Sequence, residues 1–239
     1  SYKYSNEYMK NVQAASSEAV SSYNGYSKAG ILSMTRTFYI PVFKNMSGDL
    51  TINVTDSTTS SVSISWNKID GVTGYQIQTQ DANGNWVDYT YTGETNVTFS
   101  NLQSAYRFPL RIRSYTQNGK NIKWGNFFQI NVSTKPSKVS GVKLSSSDTS
   151  VTVKWNKVSR ASGYRIYVYN SSKKSYEFNK SVSNASTVST KLTGLKPNKT
   201  YKIKVAAYKM ADNIKFVGSK ISEASINTKN KAVTLSSAK

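Results

Sequence analysis

Two of the side chains on which most protein catalysis depends are missing, since the 239 residues contain no histidine and no cysteine. Without imidazole or thiolate there is no Ser-His-Asp triad, no Cys-His pair, no histidine-built zinc site and no disulfide framework. Acid–base work would fall to the 12 carboxylates. Cleaving a glycosidic bond takes two carboxyl groups about 5 to 10 Å apart across a cleft. Asp70, Asp81 and Asp148 stand beside turn residues, where aspartate commonly bonds its own backbone. Glu7 and Glu18 share one face of a stretch with helical period, but 11 residues of helix hold them roughly 16 Å apart. No catalytic pair, metal site or cofactor is therefore expected in these residues. Binding is the chemistry that remains.

One constellation suits binding. Arg165, Tyr167 and Tyr169 alternate with Tyr164, Ile166 and Val168, while Lys202, Lys204 and Tyr208 alternate with Tyr201, Ile203, Val205 and Ala207. Alternate residues of a strand share a face, so the three residues named first on each strand turn outward when those they alternate with turn in. If the two strands pair, cations and tyrosine rings interleave on one surface. Ammonium and guanidinium groups meet phosphate or carboxylate, and rings cover sugar faces. Arg165, Tyr167, Tyr169, Lys202, Lys204 and Tyr208 are thus the expected ligand-binding set, and an anionic glycopolymer is the ligand class they suit. The competing reading is a solvated lysine face that keeps the protein soluble.

The first half offers a paler version, with Gln76, Gln78 and Gln80 opposite Arg111 and Arg113. A second aromatic group there, Trp86, Tyr89, Tyr91, Trp124, Phe127 and Phe128, could stack on sugars. Cross-strand packing beside hairpin turns is the expected use of these rings.

Net charge follows the same division. Lys and Arg exceed Asp and Glu by 20. Residues 1–46 carry five basic and two acidic side chains, residues 47–136 seven and six, and residues 137–229 eighteen and four. The last segment alone is +14, so a polyanion would meet that half.

The elements that position these residues repeat. S-V-S-I-S-W-N-K-I-D-G-V-T-G-Y-Q-I (61–77) matches S-V-T-V-K-W-N-K-V-S-R-A-S-G-Y-R-I (150–166) at an offset of 89 residues. That period is too long for a solenoid unit and right for a β-sandwich. Val151, Val153 and Trp155 alternate with Thr152 and Lys154, and turn signals fall at Asn83-Gly84, Asn118-Gly119 and Lys196-Pro197-Asn198. These residues resemble fibronectin type III domains, with Trp66 and Trp155 in the place of the strand B tryptophan and Tyr75 and Tyr164 in that of the strand C tyrosine. L-T-G-L-K-P-N-K-T-Y-K-I-K-V (192–205) is similar to that family's E–F corner, which implies that the Tyr201 hydroxyl ties the corner to the backbone. The first copy departs from the pattern, because Phe108 follows Leu102 where a tyrosine is usual.

The expected fold is mainly β. Two tandem fibronectin type III-like antiparallel β-sandwiches, residues 47–136 and 137–229, follow a short helix–strand segment over 1–46, and a tail covers 230–239. In 1–46, Tyr8, Val12, Ala15, Ala19, Tyr23 and Tyr26 draw an apolar stripe down a helix of about 24 residues, and R-T-F-Y-I-P-V-F (36–43) reads as an edge strand. One helix and one strand cannot make a core, so this segment is expected to end an upstream module of the same chain. E-Y-M-K-N-V-Q-A-A-S-S-E-A with Y-N-G-Y, G-I-L and F-Y-I-P-V-F-K-N-M resembles a stretch of secreted clostridial endo-β-N-acetylglucosaminidases, the peptidoglycan-cleaving autolysins. Ser47 stands where their pattern has proline.

That resemblance implies a peptidoglycan hydrolase as the parent chain. It implies an extracellular or cell-wall location in a Gram-positive bacterium, and teichoic acid or peptidoglycan as the partner. No apolar run nears the roughly 20 residues of a membrane span, and residues 1–10 are no signal peptide. Specific nucleic-acid binding is not expected, since nothing beyond charge would read a sequence. The expectation is a monomeric, non-catalytic accessory or spacer region. The alternative is a surface adhesin whose sandwiches bind a host protein or glycan.

Overall fold

The computed structural model describes residues 49–219 and 223–231. The helix and edge strand expected within 1–46, and nearly all of the tail, lie outside the described residues.

In the first half the strands are β1 (Ile52–Ser57), β2 (Val62–Trp66), β3 (Gly74–Gln80), β4 (Trp86–Thr92), β5 (Asn96–Phe99), β6 (Arg107–Asn118), β7 (Asn121–Trp124) and β8 (Phe128–Ser133). The second half repeats the series as β9 (Lys143–Ser146), β10 (Val151–Lys154), β11 (Gly163–Asn170), β12 (Ser175–Val182), β13 (Ser189–Leu192), β14 (Thr200–Ala211), β15 (Ile214–Val217) and β16 (Ala224–Asn227). No helix occurs among the described residues.

Each half makes two antiparallel sheets. In the first, β1-β2-β5 faces β4-β3-β6-β7, and β8 pairs with the part of β6 that β7 leaves free. In the second, β9-β10-β13 faces β12-β11-β14-β15, with β16 on β14. The period-2 reading explains the cores. Val62, Ile64 and Trp66 are buried on alternate positions of β2, and Val151, Val153 and Trp155 are buried from β10 onward.

Trp66 meets Tyr75 edge-on at 5.4 Å between ring centres, and Trp155 meets Tyr164 at 5.1 Å. Neither indole N–H has a hydrogen-bond partner among the described residues. An indole burying about 200 Å² gains about 5 kcal/mol, against about 1–3 kcal/mol for an unmet donor, so burial wins. The tyrosine hydroxyls are satisfied. The Ile69 amide donates to Tyr75 (2.8 Å), and the Val158 amide donates to Tyr164 (3.0 Å).

The two corners differ as the sequence implies. In the second sandwich the Lys196 amide donates to the Tyr201 hydroxyl at 2.9 Å. Phe108 has no hydroxyl and instead packs edge-on against Phe99 at 5.3 Å. A buried threonine braces both corners. Thr134 Oγ1 donates to the Gln103 carbonyl (2.6 Å) and accepts from the Tyr106 amide (2.9 Å). Thr228 Oγ1 likewise donates to the Lys196 carbonyl (2.7 Å) and accepts from the Lys199 amide (3.0 Å).

The sandwiches touch through the β14–β15 hairpin. At its tip, Asp212 accepts from the Asn131 amide and from Asn131 Nδ2, both at 2.8 Å, with Arg107 at 3.8 Å. Ala211 and Phe216 from this hairpin join the core cluster of the first sandwich. Beside the Lys135-Pro136-Ser137 joint, Ser137 Oγ donates to Ser104 Oγ at 2.8 Å.

Candidate binding face

β11 and β14 pair as the sequence reading requires. Tyr167 lies opposite Lys204, Arg165 opposite Ala206 and Gly163 opposite Tyr208. On the other side of β11, β12 brings Phe178 beside Tyr167 and Tyr176 beside Tyr169, after a register shift between Ile166 and Tyr167. The outer face of this sheet therefore alternates cations and rings. The Arg165 guanidinium sits 4.4 Å over Phe178 and 5.5 Å from Tyr167. Lys204 Nζ lies 4.0 Å over Tyr176, and Lys202 Nζ lies 5.5 Å from Tyr169. Each such contact at an exposed site is worth about 0.5–1 kcal/mol, enough to set a side chain's direction and too little to neutralise its charge.

A carboxylate already stands among these cations. Glu223, just before β16, accepts a 2.6 Å hydrogen bond from the Tyr176 hydroxyl and pairs with Lys202 Nζ at 3.1 Å. The tyrosine hydrogen bond, then the lysine, hold its carboxyl below the usual glutamate range. Burial, helped by the same bond, pushes the Tyr176 phenol well up. Tyr176 stays protonated as a donor.

Of the six expected residues, the structure gathers Arg165, Tyr169, Lys202 and Lys204 on an accessible surface. Tyr167 and Tyr208 occupy the same face but are only 7% and 5% exposed, which corrects their expected role. Tyr167 is walled in by Phe178 and Arg165. The hydroxyl end of Tyr208 packs over Gly163, where an added Cβ would sit 2.7 Å from it, and Lys215 covers its ring at 4.7 Å. Neither ring offers a face to a sugar. Their places are taken by Tyr176 and the half-exposed Phe178 on β12, which the sequence reading did not select. The Tyr-x-Phe alternation at 176–178 was the available signal. The register shift hid where it would land.

The equivalent face of the first sandwich is occupied by packing. Arg111 and Arg113 enter an alternating stack. Arg111 lies 4.4 Å over Trp86 and 3.9 Å over Phe127, and Arg113 lies 4.3 Å over Phe127 and 3.8 Å over Trp124. Beneath, Arg111 Nε donates to Gln78 (2.8 Å) and Arg113 Nε to Gln76 (2.6 Å). Both glutamine amides in turn donate to Asp88, at 2.7 and 2.6 Å. The neighbouring rings also pack. Tyr89 lies 4.5 Å from Phe99, Tyr91 meets Tyr115 at 5.9 Å, and Phe128 leans on the core.

The family model for the fibronectin type III domain matches residues 49–131 and again 135–214. Among solved structures, the chain is similar to the FN1–FN3 domains of chicken CNTN1, at 18% identity and a TM-score of 0.45. The match covers 75% of this chain and 66% of that one, just under two thirds of its length. A two-domain fibronectin type III segment of chicken tenascin matches at 19% identity and a TM-score of 0.41, covering 75% of this chain and all of that one.

Proposed function

We propose, for a chain that belongs to the fibronectin type III family, that its two sandwiches serve as a non-catalytic accessory region of a secreted bacterial cell-wall hydrolase of the glucosaminidase type. Domains of this family suit accessory or adhesive roles. The hydrolase parent rests on the resemblance carried by residues 1–46. The region spaces the catalytic module and holds it weakly on anionic wall polymer, teichoic acid or the peptidoglycan itself.

One observation carries the binding half of this reading. Arg165, Lys202 and Lys204 share a sheet face with Tyr169, Tyr176 and Phe178, each cation lying against a ring. A glycopolymer with regularly spaced anions and apolar sugar faces matches both components. Affinity per site is low because exposed charges are screened within roughly 10 Å at 0.1 M salt. Tethering to an enzyme still raises the local concentration at the substrate.

The test is co-sedimentation of the whole chain with purified walls, with and without teichoic acid, across a salt series. Binding is expected to fall steeply with salt, to drop when teichoic acid is stripped, and to weaken in K202A/K204A. Indifference to both salt and teichoic acid would overturn the reading. Saturable, salt-tolerant binding to host matrix would move the assignment to an adhesin.

A further inference from the structure

Glu223 is out of keeping with its surroundings. The second half of the chain carries eighteen basic side chains over residues 137–229 and only four acidic ones, Asp148, Glu177, Asp212 and Glu223. Asp212 reaches the other sandwich, and Glu177 pairs with Lys173 at 2.7 Å beside the β11–β12 turn. Glu223 alone among the four lies on the cation-rich face. It is held there on two points, by a hydroxyl from β12 and an ammonium from β14.

An exposed lysine–glutamate pair needs no phenol donor. Here the Tyr176 hydroxyl points at the same carboxylate, at 2.6 Å, while Lys204 lies over the Tyr176 ring at 4.0 Å. Tyr176, Lys202 and Lys204 thus form a cradle with an O–H and an N–H⁺ directed at two oxygens of one anionic group. A carboxylate or a phosphodiester presents the same oxygen pair and would make the same contacts.

We infer that Glu223 is a tethered competitor, occupying with its own carboxylate the position at which the face receives an anionic group of the polymer. The inference rests on the proposed polymer-binding role and adds its regulation. A ligand must displace Glu223 from Lys202 and Tyr176, so resting affinity is set below what the cradle alone could give. Multivalent attachment along a polymer overcomes this deficit and binding of an isolated anion does not.

The test compares three whole-chain proteins, the wild type, E223Q and E177Q, for binding to a glycerol-phosphate polymer and to poly-glutamate in low salt. The two substitutions raise net charge equally. Glu177 lies between Tyr176 and Phe178 on β12, so its side chain leaves from the opposite side of the strand. Removing the carboxylate charge loosens both the ion pair to Lys202 and the charged hydrogen bond from Tyr176, so E223Q is expected to tighten binding by about 3- to 10-fold. E177Q should change it by less than about 2-fold.

Tightening on the phosphate polymer, on poly-glutamate or on both supports the inference and tells which anion the cradle prefers. Equal tightening by both variants, or no gain in E223Q while the wild type binds, overturns it and leaves the polymer-binding role standing. Absence of binding by all three overturns both.

Discussion

Tyr164 and Tyr201 make similar bonds from very different positions, and the difference is measurable. The Tyr164 hydroxyl is buried, accepting from the Val158 amide at 3.0 Å and donating to the Ala185 carbonyl at 3.3 Å. Removing it leaves a buried amide without an acceptor, which costs about 1–3 kcal/mol. Tyr201 is half-buried and its hydroxyl accepts from the Lys196 amide near water, so its loss should cost about 0.5–1.5 kcal/mol. Y164F is therefore expected to lower the urea midpoint of the second sandwich more than Y201F does. The reverse order would mean that the corner, not the buried strand tyrosine, is the stronger brace.

At the scale of elements, what could be read in the sequence and what could not divide along a physical line. Strand faces follow from alternation, so the inward set Val151, Val153, Trp155, Tyr164 and Ile166 was visible in the chain. The pairing of β11 with β14 followed from the family resemblance. Exposure within a face was not visible, because it depends on neighbours from a third strand. Tyr167 is buried by Phe178, which reaches it only through the register shift of β12. Glu223 lay beyond reach for a similar reason, since no periodicity links it to Tyr176, 47 residues earlier. The first sandwich shows the same limit. Arg111 and Arg113 were recognised as outward, and Trp86, Trp124 and Phe127 as candidate stackers, but nothing in the sequence showed them stacking on one another. Once they do, with Gln76, Gln78 and Asp88 tied below, that face is a braced surface with its guanidinium planes already covered by rings.

Across the whole molecule, the joint between sandwiches decides whether the basic half moves with its neighbour or independently. Asp212 accepts two hydrogen bonds from Asn131 with Arg107 nearby, and those bonds, the backbone one foremost, hold its carboxyl below 3.8, the ordinary aspartate value. A carboxyl lowered in the folded state adds stability above the unfolded value and loses it as pH falls through the folded one. The coupling should therefore be intact at neutral pH and fade below 3.8, and D212A should abolish it at every pH. Nitrogen relaxation of the two halves reads this directly. One common correlation time is expected for the wild type at neutral pH, and two shorter, unequal ones for D212A. A single shared time in D212A would assign the rigidity to Ala211, Phe216 and the joint instead.

Mapping the polymer onto the chain residue by residue tests the central claim most directly. Titrating the isotope-labelled whole chain with glycerol-phosphate polymer in low salt is predicted to shift the amides of Arg165, Tyr169, Tyr176, Phe178, Lys202 and Lys204, and to leave those around Arg111 and Arg113 in place. Shifts centred on the first sandwich, or spread evenly over every exposed lysine of the second, would contradict it.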